Sequence, residues 1–295
     1  MRYEFIDPHR SAFRVTKMCW MLEVSRSAYY AHRKRPKSFR ERDNERLVEK
    51  ITEIYHRSRG RYGSPRITDA LHDQGLVCGH NRVARLMRQN DIVAKRKRRF
   101  KVTTHSRHKL PVAPNLVDRQ FSAEAPNQLW VSDITYIRTR QGWLYLAAIL
   151  DVYSRQIVGW SMDSFLGQEL VLKALRQALG RRESAQGLIF HSDRGVQYAS
   201  ESVRRLLSKR TFHQSMSGKG NCYDNAIMEP FFATLKTELI YAETYHSRAQ
   251  AQQSIFQYIE VFYNRFRKHS ALGYLSPMQF ENQLKVASPR VHILG

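Results

Sequence analysis

Residues 128–163 read QLWVSDITYIRTRQGWLYLAAILDVYSRQIVGWSMD, and the way this stretch pairs with itself decides the fold. QLWVSDITYIRT (128–139) alternates and is rich in β-formers, which predicts a strand. GWLYLAAILDVYS (142–154) is a near-continuous apolar run of the kind a central strand carries. RQIVGWSMDS (155–164) predicts a third strand, and the short separations make the three an antiparallel meander. Asp133 falls in the middle of the first strand. A carboxylate among apolar strand residues is costly unless something pairs with it.

Downstream, QELVLKALRQALG (168–180) predicts a helix ending at Gly180, and GLIFHSD (187–193) a short buried strand. ESVRRLLSKR (201–210) reads as a helix and TFHQSMS (211–217) as a short strand. SGKGN (217–221) is a flexible turn-former. AIMEPFFATLKTEL (226–239) follows as a helix with Met228, Phe231 and Leu235 on one side. Pro230 suits a first helical turn, so that helix starts near Ile227. This order gives a mixed five-stranded sheet with flanking helices, an α/β arrangement compatible with a ribonuclease-H-like core. Residues 246–295 form a helical C-terminal extension containing YNRFRKHSALGYLSP (263–277). Its interleaved aromatic and basic residues suit either contact with a nucleic-acid backbone or a packed tail.

Upstream the texture is helical. AFRVTKMCWMLEVSRSAYYAHR (12–33) predicts two short helices joined near Glu23–Ser25, either a helix-turn-helix or a plain hairpin. Residues 43–57 place Leu47, Ile51 and Ile54 at helical spacing. Ser64–Pro65 is a helix start and Gly75 a stop. HNRVARLMRQN (80–90) is a further helix, with Val83, Leu86, Met87 and Asn90 on one face and Asn81, Arg82, Arg85, Arg88 and Gln89 on the other. An Arg/Asn/Gln face on the second of two short helices is what major-groove reading needs; a helical bundle with a solvated basic face is the other reading, and the charge that continues after it favours DNA. The run AKRKRRFK (94–101) adds Lys95, Arg96, Lys97, Arg98, Arg99 and Lys101, suited to phosphates without sequence preference. The domain reading is therefore 1–40 a small helical segment, 41–101 a helix-turn-helix domain with a basic tail, 102–126 a linker, 127–245 the core, and 246–295 the extension.

Bulk composition agrees. The formal net charge is +23 over 295 residues, which points first to nucleic acid. Residues 1–120 hold 29 Lys+Arg against 12 Asp+Glu, and residues 121–295 hold 20 against 14. The polyanion-binding character is thus concentrated N-terminally. No apolar run approaches the ~20 residues that span a bilayer, and no signal peptide opens the chain. A cytoplasmic protein is expected. The three cysteines, Cys19, Cys78 and Cys222, show no C-x-x-C pair. A disulfide framework or four-Cys zinc site is thereby disfavoured, and Cys19 and Cys78 read as buried free thiols.

Three acids could converge on one side of the sheet: Asp133 in the first strand, Asp193 just past a buried strand, and Glu229 at the start of the 226–239 helix. Mg²⁺ prefers such oxygen ligands, with substrate phosphate completing its shell. Two ions about 3.5–4 Å apart clamp both oxygens of an in-line displacement. Asp151 and Asp163 end strands, where turn or capping roles explain them.

Asp193 and Glu229 have 35 residues between them, and Lys236 follows Glu229 by seven. This resembles the D,D(35)E signature of retroviral integrases and their bacterial relatives. The words LWVSDITYI, LAAILDVYSRQIVGW, HSDRGVQYAS, SMSGKGNCYDNAIME, YNRFRKHSALGYLSP, RYGSPRI and GHNRVARLMR resemble, more narrowly, transposases of the insertion-sequence-three family. The resemblance spans roughly residues 40–285. It implies that Asp133, Asp193 and Glu229 hold two Mg²⁺ (Mn²⁺ as substitute), that a 3′-end is cleaved, and that the freed 3′-OH attacks a phosphodiester directly. It gives Lys236 and Asn225 contacts to DNA near the cleaved end. It implies double-stranded DNA partners, namely terminal inverted repeats and target DNA, and an upstream-frame protein as fusion. Joining two ends calls for at least a dimer. The rivals are a nuclease of the same fold that cuts without joining and a catalytically inactive DNA-binding regulator. Tyr136 and Tyr153 read as sheet residues rather than nucleophiles.

Overall fold

The computed structural model describes residues 2–34, 36–95, 110–183, 186–218 and 227–287. The chain divides into two compact units, Met1–Val93 and Ala94–Gly295.

The second unit is built on a five-stranded mixed sheet of order β3-β2-β1-β4-β5. β1 (Leu129–Thr139), β2 (Gly142–Asp151) and β3 (Ile157–Asp163) form the expected meander. β4 (Ile189–Ser192) runs parallel to β1, and β5 (His213–Met216) parallel to β4. The period-2 alternation of strands assigns their side chains to two cores. Trp130, Ala147, Ile149 and Val158 pack under α7 (Gln168–Arg181) and α8 (Glu201–Ser208). Leu129, Val131, Ile137 and Leu146 pack on the other face under α9 (Met228–Glu238) and α10 (Arg248–Phe256). Met228, Phe231 and Leu235 are the buried stripe of α9, as their spacing predicts. Ile227 is the N-cap, so Pro230 sits in the first turn, where its missing N–H costs nothing. α7 lies close on β3 because Gly159 has no side chain: a Cβ there would sit 2.3 Å from the Ala174 carbonyl oxygen.

Segments flanking the core belong to it. Val117 is buried with the α9 face of the sheet, the Met216 N–H donates to the Pro114 carbonyl at 3.3 Å, and the Leu116 N–H to Ser215 Oγ at 2.9 Å. Residues 110–126 are therefore laid over the sheet rather than strung between domains. The YNRFRKHSALGYLSP stretch is a packed tail. α10 continues as a π-helix, Gln257–Tyr263, and Tyr258, Ile259 and Tyr263 are buried. Asn264 donates to and accepts from the Ile157 backbone, both at 3.0 Å, pinning the start of β3. The Arg267 guanidinium grips the Glu238 carboxylate (Nη2 to Oε1 2.8 Å), and the Tyr258 hydroxyl donates to the same carboxylate at 2.8 Å. α11 (Pro277–Ala287) presents Glu281 to Arg182 at 2.8 Å. Tyr136 is a sheet residue, but Tyr153 lies in the turn after β2 and stacks on Phe280.

The first unit contains α1 (Arg2–His9), which no periodicity in the sequence announced, then α2 (Val15–Met21) and α3 (Arg26–Lys34). Ile6, Met18, Cys19 and Tyr29 form their small core. α4 (Phe39–Arg57) starts earlier than its apolar spacing indicates, because Ser38 and Glu41 form a reciprocal capping box. It buries Leu47, Ile51 and Ile54. α5 (Ser64–Asp73) and α6 (His80–Gln89) follow, and Gly75 takes φ +75° after α5. Asn90 leaves the buried face assigned to it: it caps α6 and donates to the Leu86 carbonyl at 2.9 Å. Cys19 and Cys78 are free buried thiols.

Candidate active site and DNA interface

The site follows from one register. β1 and β4 run parallel with Ser132 opposite Ser192, so the next residues, Asp133 and Asp193, stand side by side where β4 ends. Asp133 lies on the α9 face. Burial, then the Asp193 charge, push its carboxyl up to about 8; Glu229 adds to that, while the Ile134 N–H bond and Lys236 oppose it. That N–H donates to Asp133 Oδ1 at 2.7 Å. Asp193 Oδ1 accepts the Gly195 N–H at 2.9 Å. Lys236 is half-buried on α9; burial lowers its pKa and the Asp133 charge works against that. Glu229 is exposed in the first turn of α9. Its charge reaches Asp133 most weakly of the neighbours named. Among the described residues no three His, Cys, Asp or Glu side chains cluster tightly enough to share one ion. The tight pair is Asp133 with Asp193, and Glu229 stands at its margin.

The donor set fits a hard divalent cation. Two carboxylates held together in a partly buried setting repel unless a cation or proton intervenes, and oxygen ligands suit Mg²⁺. Asp151 and Asp163 play no part in it. Asp151 accepts the Asn127 and Tyr153 N–H groups at 2.8 and 3.0 Å. Asp163 accepts the Phe165 N–H at 3.3 Å and pairs with Lys173 at 3.1 Å.

Two features went unread in the sequence. The Tyr198 hydroxyl lies 3.0 Å from Ser132 Oγ behind the acid pair; burial first, then the Asp133 and Asp193 charges, raise its pKa. Gly195 lets the loop fold back on Asp193: a Cβ would fall 3.0 Å from Asp193 Oδ1. The word HSDRGVQYAS contains both, but only packing gives them a role.

In the first unit, Asn81, Arg85 and Arg88 are exposed on α6. Arg82 is not presented in the same way. Its guanidinium bonds Asp43 at 2.7 Å and Asn44 at 2.6 Å, tying α6 to α4. Lys95 Nζ donates to the Glu238 carbonyl at 3.1 Å. Asn225, Arg96, Lys97, Arg98, Arg99 and Lys101 lie outside the described residues.

The Integrase core domain family matches residues 123–222 and again 229–284, and an HTH-like domain matches residues 41–100. The fold and these family matches define an enzyme of the DDE transposase and integrase class with an appended HTH-like domain. "Transposase InsF for insertion sequence IS3A" of Escherichia coli (strain K12) is 42% identical over 285 residues, covering 96% of this chain and 99% of that protein. "Insertion element IS600 uncharacterized 31 kDa protein" of Shigella sonnei is 45% identical over 266 residues, covering 90% and 98%. The chain belongs to the IS3 family of insertion-sequence transposases. The HTLV-2 integrase catalytic core domain, solved with magnesium, is a distant structural likeness: 14% identity, TM-score 0.41, covering 54% of this chain and 98% of that one. No described helix is long and apolar enough to cross a membrane.

Proposed function

We propose that this transposase binds the terminal inverted repeats of its element, cleaves a 3′-end and joins it to target DNA. The observation that carries the reading is the β1–β4 register, which sets Asp133 beside Asp193 at an open strand end. Asp133, Asp193 and Glu229 would hold the metal, two Mg²⁺ with Mn²⁺ as substitute. Bound there, the ions would supply charge neutralisation and an activated attacking oxygen. The chain's own residues do the positioning. The Ile134 N–H fixes one oxygen of Asp133, and the Gly195 N–H one oxygen of Asp193. α9, anchored by Met228, Phe231 and Leu235, carries Glu229 and Lys236 to the same side. Lys236, with Asn225 before the helix, would contact DNA beside the reacting end. Asn81, Arg85 and Arg88 would read or hold the repeats, with Arg82 orienting α6; the basic run 96–101 would bind phosphates, whereas Lys95 donates to the Glu238 carbonyl. At least two copies act on paired ends, with an upstream-frame fusion partner where the element encodes one.

A strand-joining assay on labelled element ends with Mg²⁺ or Mn²⁺ tests this. Joined product is expected from the wild type and a loss of at least a hundredfold from Glu229→Gln. Cleavage without joining would favour the nuclease reading. DNA binding without any metal-dependent product would favour a regulator.

A further inference from the structure

The first three helices have no part in the function proposed above, yet they are built to a pattern. α1, α2 and α3 share a core of Ile6, Met18, Cys19 and Tyr29, with Val15, Leu22 and Val24 packed against it. Residues 22–25 join α2 to α3, and this turn is closed from both ends. Glu23 takes a left-handed φ of +52°. Its N–H donates to the Trp20 carbonyl at 3.2 Å and the Val24 N–H to the Cys19 carbonyl at 2.9 Å, the paired bonds that end a helix sharply. Ser25 Oγ then accepts the Ala28 N–H at 3.4 Å where α3 begins. Two short helices held by a fixed turn over a shared core make a helix-turn-helix, whose second helix enters the major groove. A plain hairpin would lay the helices together lengthwise and bury a residue at each turn, whereas α3 buries only Tyr29.

The two sides of α3 differ. At about 100° per residue, Tyr29, His32 and Arg33 share one side, and all three are tied to α1. The Tyr29 hydroxyl donates to Asp7 at 2.8 Å, Arg33 Nε lies 3.7 Å from the same carboxylate, and His32 stacks on Tyr3 at 4.9 Å. Arg26, Ser27, Tyr30, Ala31 and Lys34 share the other side, and all five are exposed. No acid stands on α3. Arg14 and Lys17 are exposed at the start of α2, the helix that crosses the DNA backbone in such a motif. The exposed side is thus cationic and rich in donors, which complements a polyanion whose groove presents acceptors: arginine forks onto guanine O6 and N7, and serine bonds several base edges.

We propose that α2 and α3 form a second helix-turn-helix, separate from α6, and that α3 reads the major groove of duplex DNA with Arg26 and Ser27 at base edges and Lys34 at a phosphate. It rests on the reading of this chain as a DNA binder, but the test assumes nothing about inverted repeats. The full chain, in EDTA, would select from a pool of duplexes carrying a long randomised segment. The wild type should enrich a motif of two separable blocks. Arg26→Ala with Ser27→Ala should erase one block, weaken binding to the selected duplex about tenfold and leave random duplex and melting unchanged. Arg85→Ala should erase the other block. Arg26→Gln should move one preferred base from guanine to adenine, a change that a merely structural role would not produce and that decides the matter if the Ala pair does not fold. A wild type that enriches no motif, a motif indifferent to both Arg26 variants, or an equal loss on selected and random duplexes would overturn the site. So would variants that alter only self-association in sedimentation, which would give this face to a second copy. Blocks absent from the ends of the flanking element would refute the repeat reading and leave this site standing.

Discussion

Asp133 carries a carboxyl that is comfortable only when neutralised, and metal-free protein exposes the sign of that cost. A group that binds its proton more tightly folded than unfolded gains stability below its unfolded pKa, about 3.9 for Asp. That gain is lost as pH rises through the folded value, about 8. In EDTA, Asp133→Asn should therefore unfold at higher temperature than the wild type at pH 8–9, with the gap closing toward pH 4. A constant gap would mean that the carboxyl does not titrate in this window. At Arg82 the structure separates two roles that sequence merged. Arg82→Ala should lower the stability of the N-terminal unit by about 1 kcal/mol through its lost bonds to Asp43 and Asn44. Arg85→Ala should leave melting unchanged and weaken repeat binding more than random-duplex binding. Equal effects of the two on melting would remove the distinction.

Elements are held by close approach as much as by apolar area. The α7–β3 contact depends on Gly159, whose added Cβ would press on backbone: Ala174 O at 2.3 Å and Ala178 N at 2.9 Å. Backbone cannot swing aside as a side chain can. Gly159→Ala should cost about 3 kcal/mol or more, at the upper end of overpacking effects, and reduce soluble yield. α4 is held at its start by Ser38 and Glu41. Ser38→Ala should cost about 1 kcal/mol, visible as a lower midpoint for the N-terminal unit in thermal unfolding.

At the scale of the molecule, the C-terminal segment completes the catalytic unit. Ala251, Ile255, Tyr258, Ile259 and Tyr263 share one core with β1, β2 and α9, and the Glu238–Arg267 pair is buried on both sides, at 8% and 6% side-chain exposure. Removing one partner strands a buried charge, so Arg267→Met should destabilise by about 3–5 kcal/mol, and Glu238→Gln added to it should restore part of that. Because Glu238 ends the helix that carries Glu229 and Lys236, joining activity should fall with the single variant. A chain cut after residue 245 should fail to fold.

Much of this was legible from the sequence because it depends on local periodicity. Alternation in QLWVSDITYIRT, the apolar run after it and the stripe on α9 each reflect which side faces a core, and neighbours along the chain suffice to show it. Motif spacing singled out Asp133, Asp193 and Glu229, of which the β1–β4 register sets the first two side by side. Contacts between distant residues were not legible. Nothing local says that Arg82 meets Asp43, that Arg267 meets Glu238, or that residues 110–121 lie on the sheet. Likewise a lone tyrosine or glycine carries no sign of its partner, so Tyr198 behind Ser132 and Gly195 beneath Asp193 went unread. The sequence by itself determined most of the elements of the second unit and its strand meander. Tertiary structure alone decided which acids adjoin, since the parallel β1–β4 pairing spans some sixty residues of chain, and which arginines of α6 are bound internally and which are left exposed.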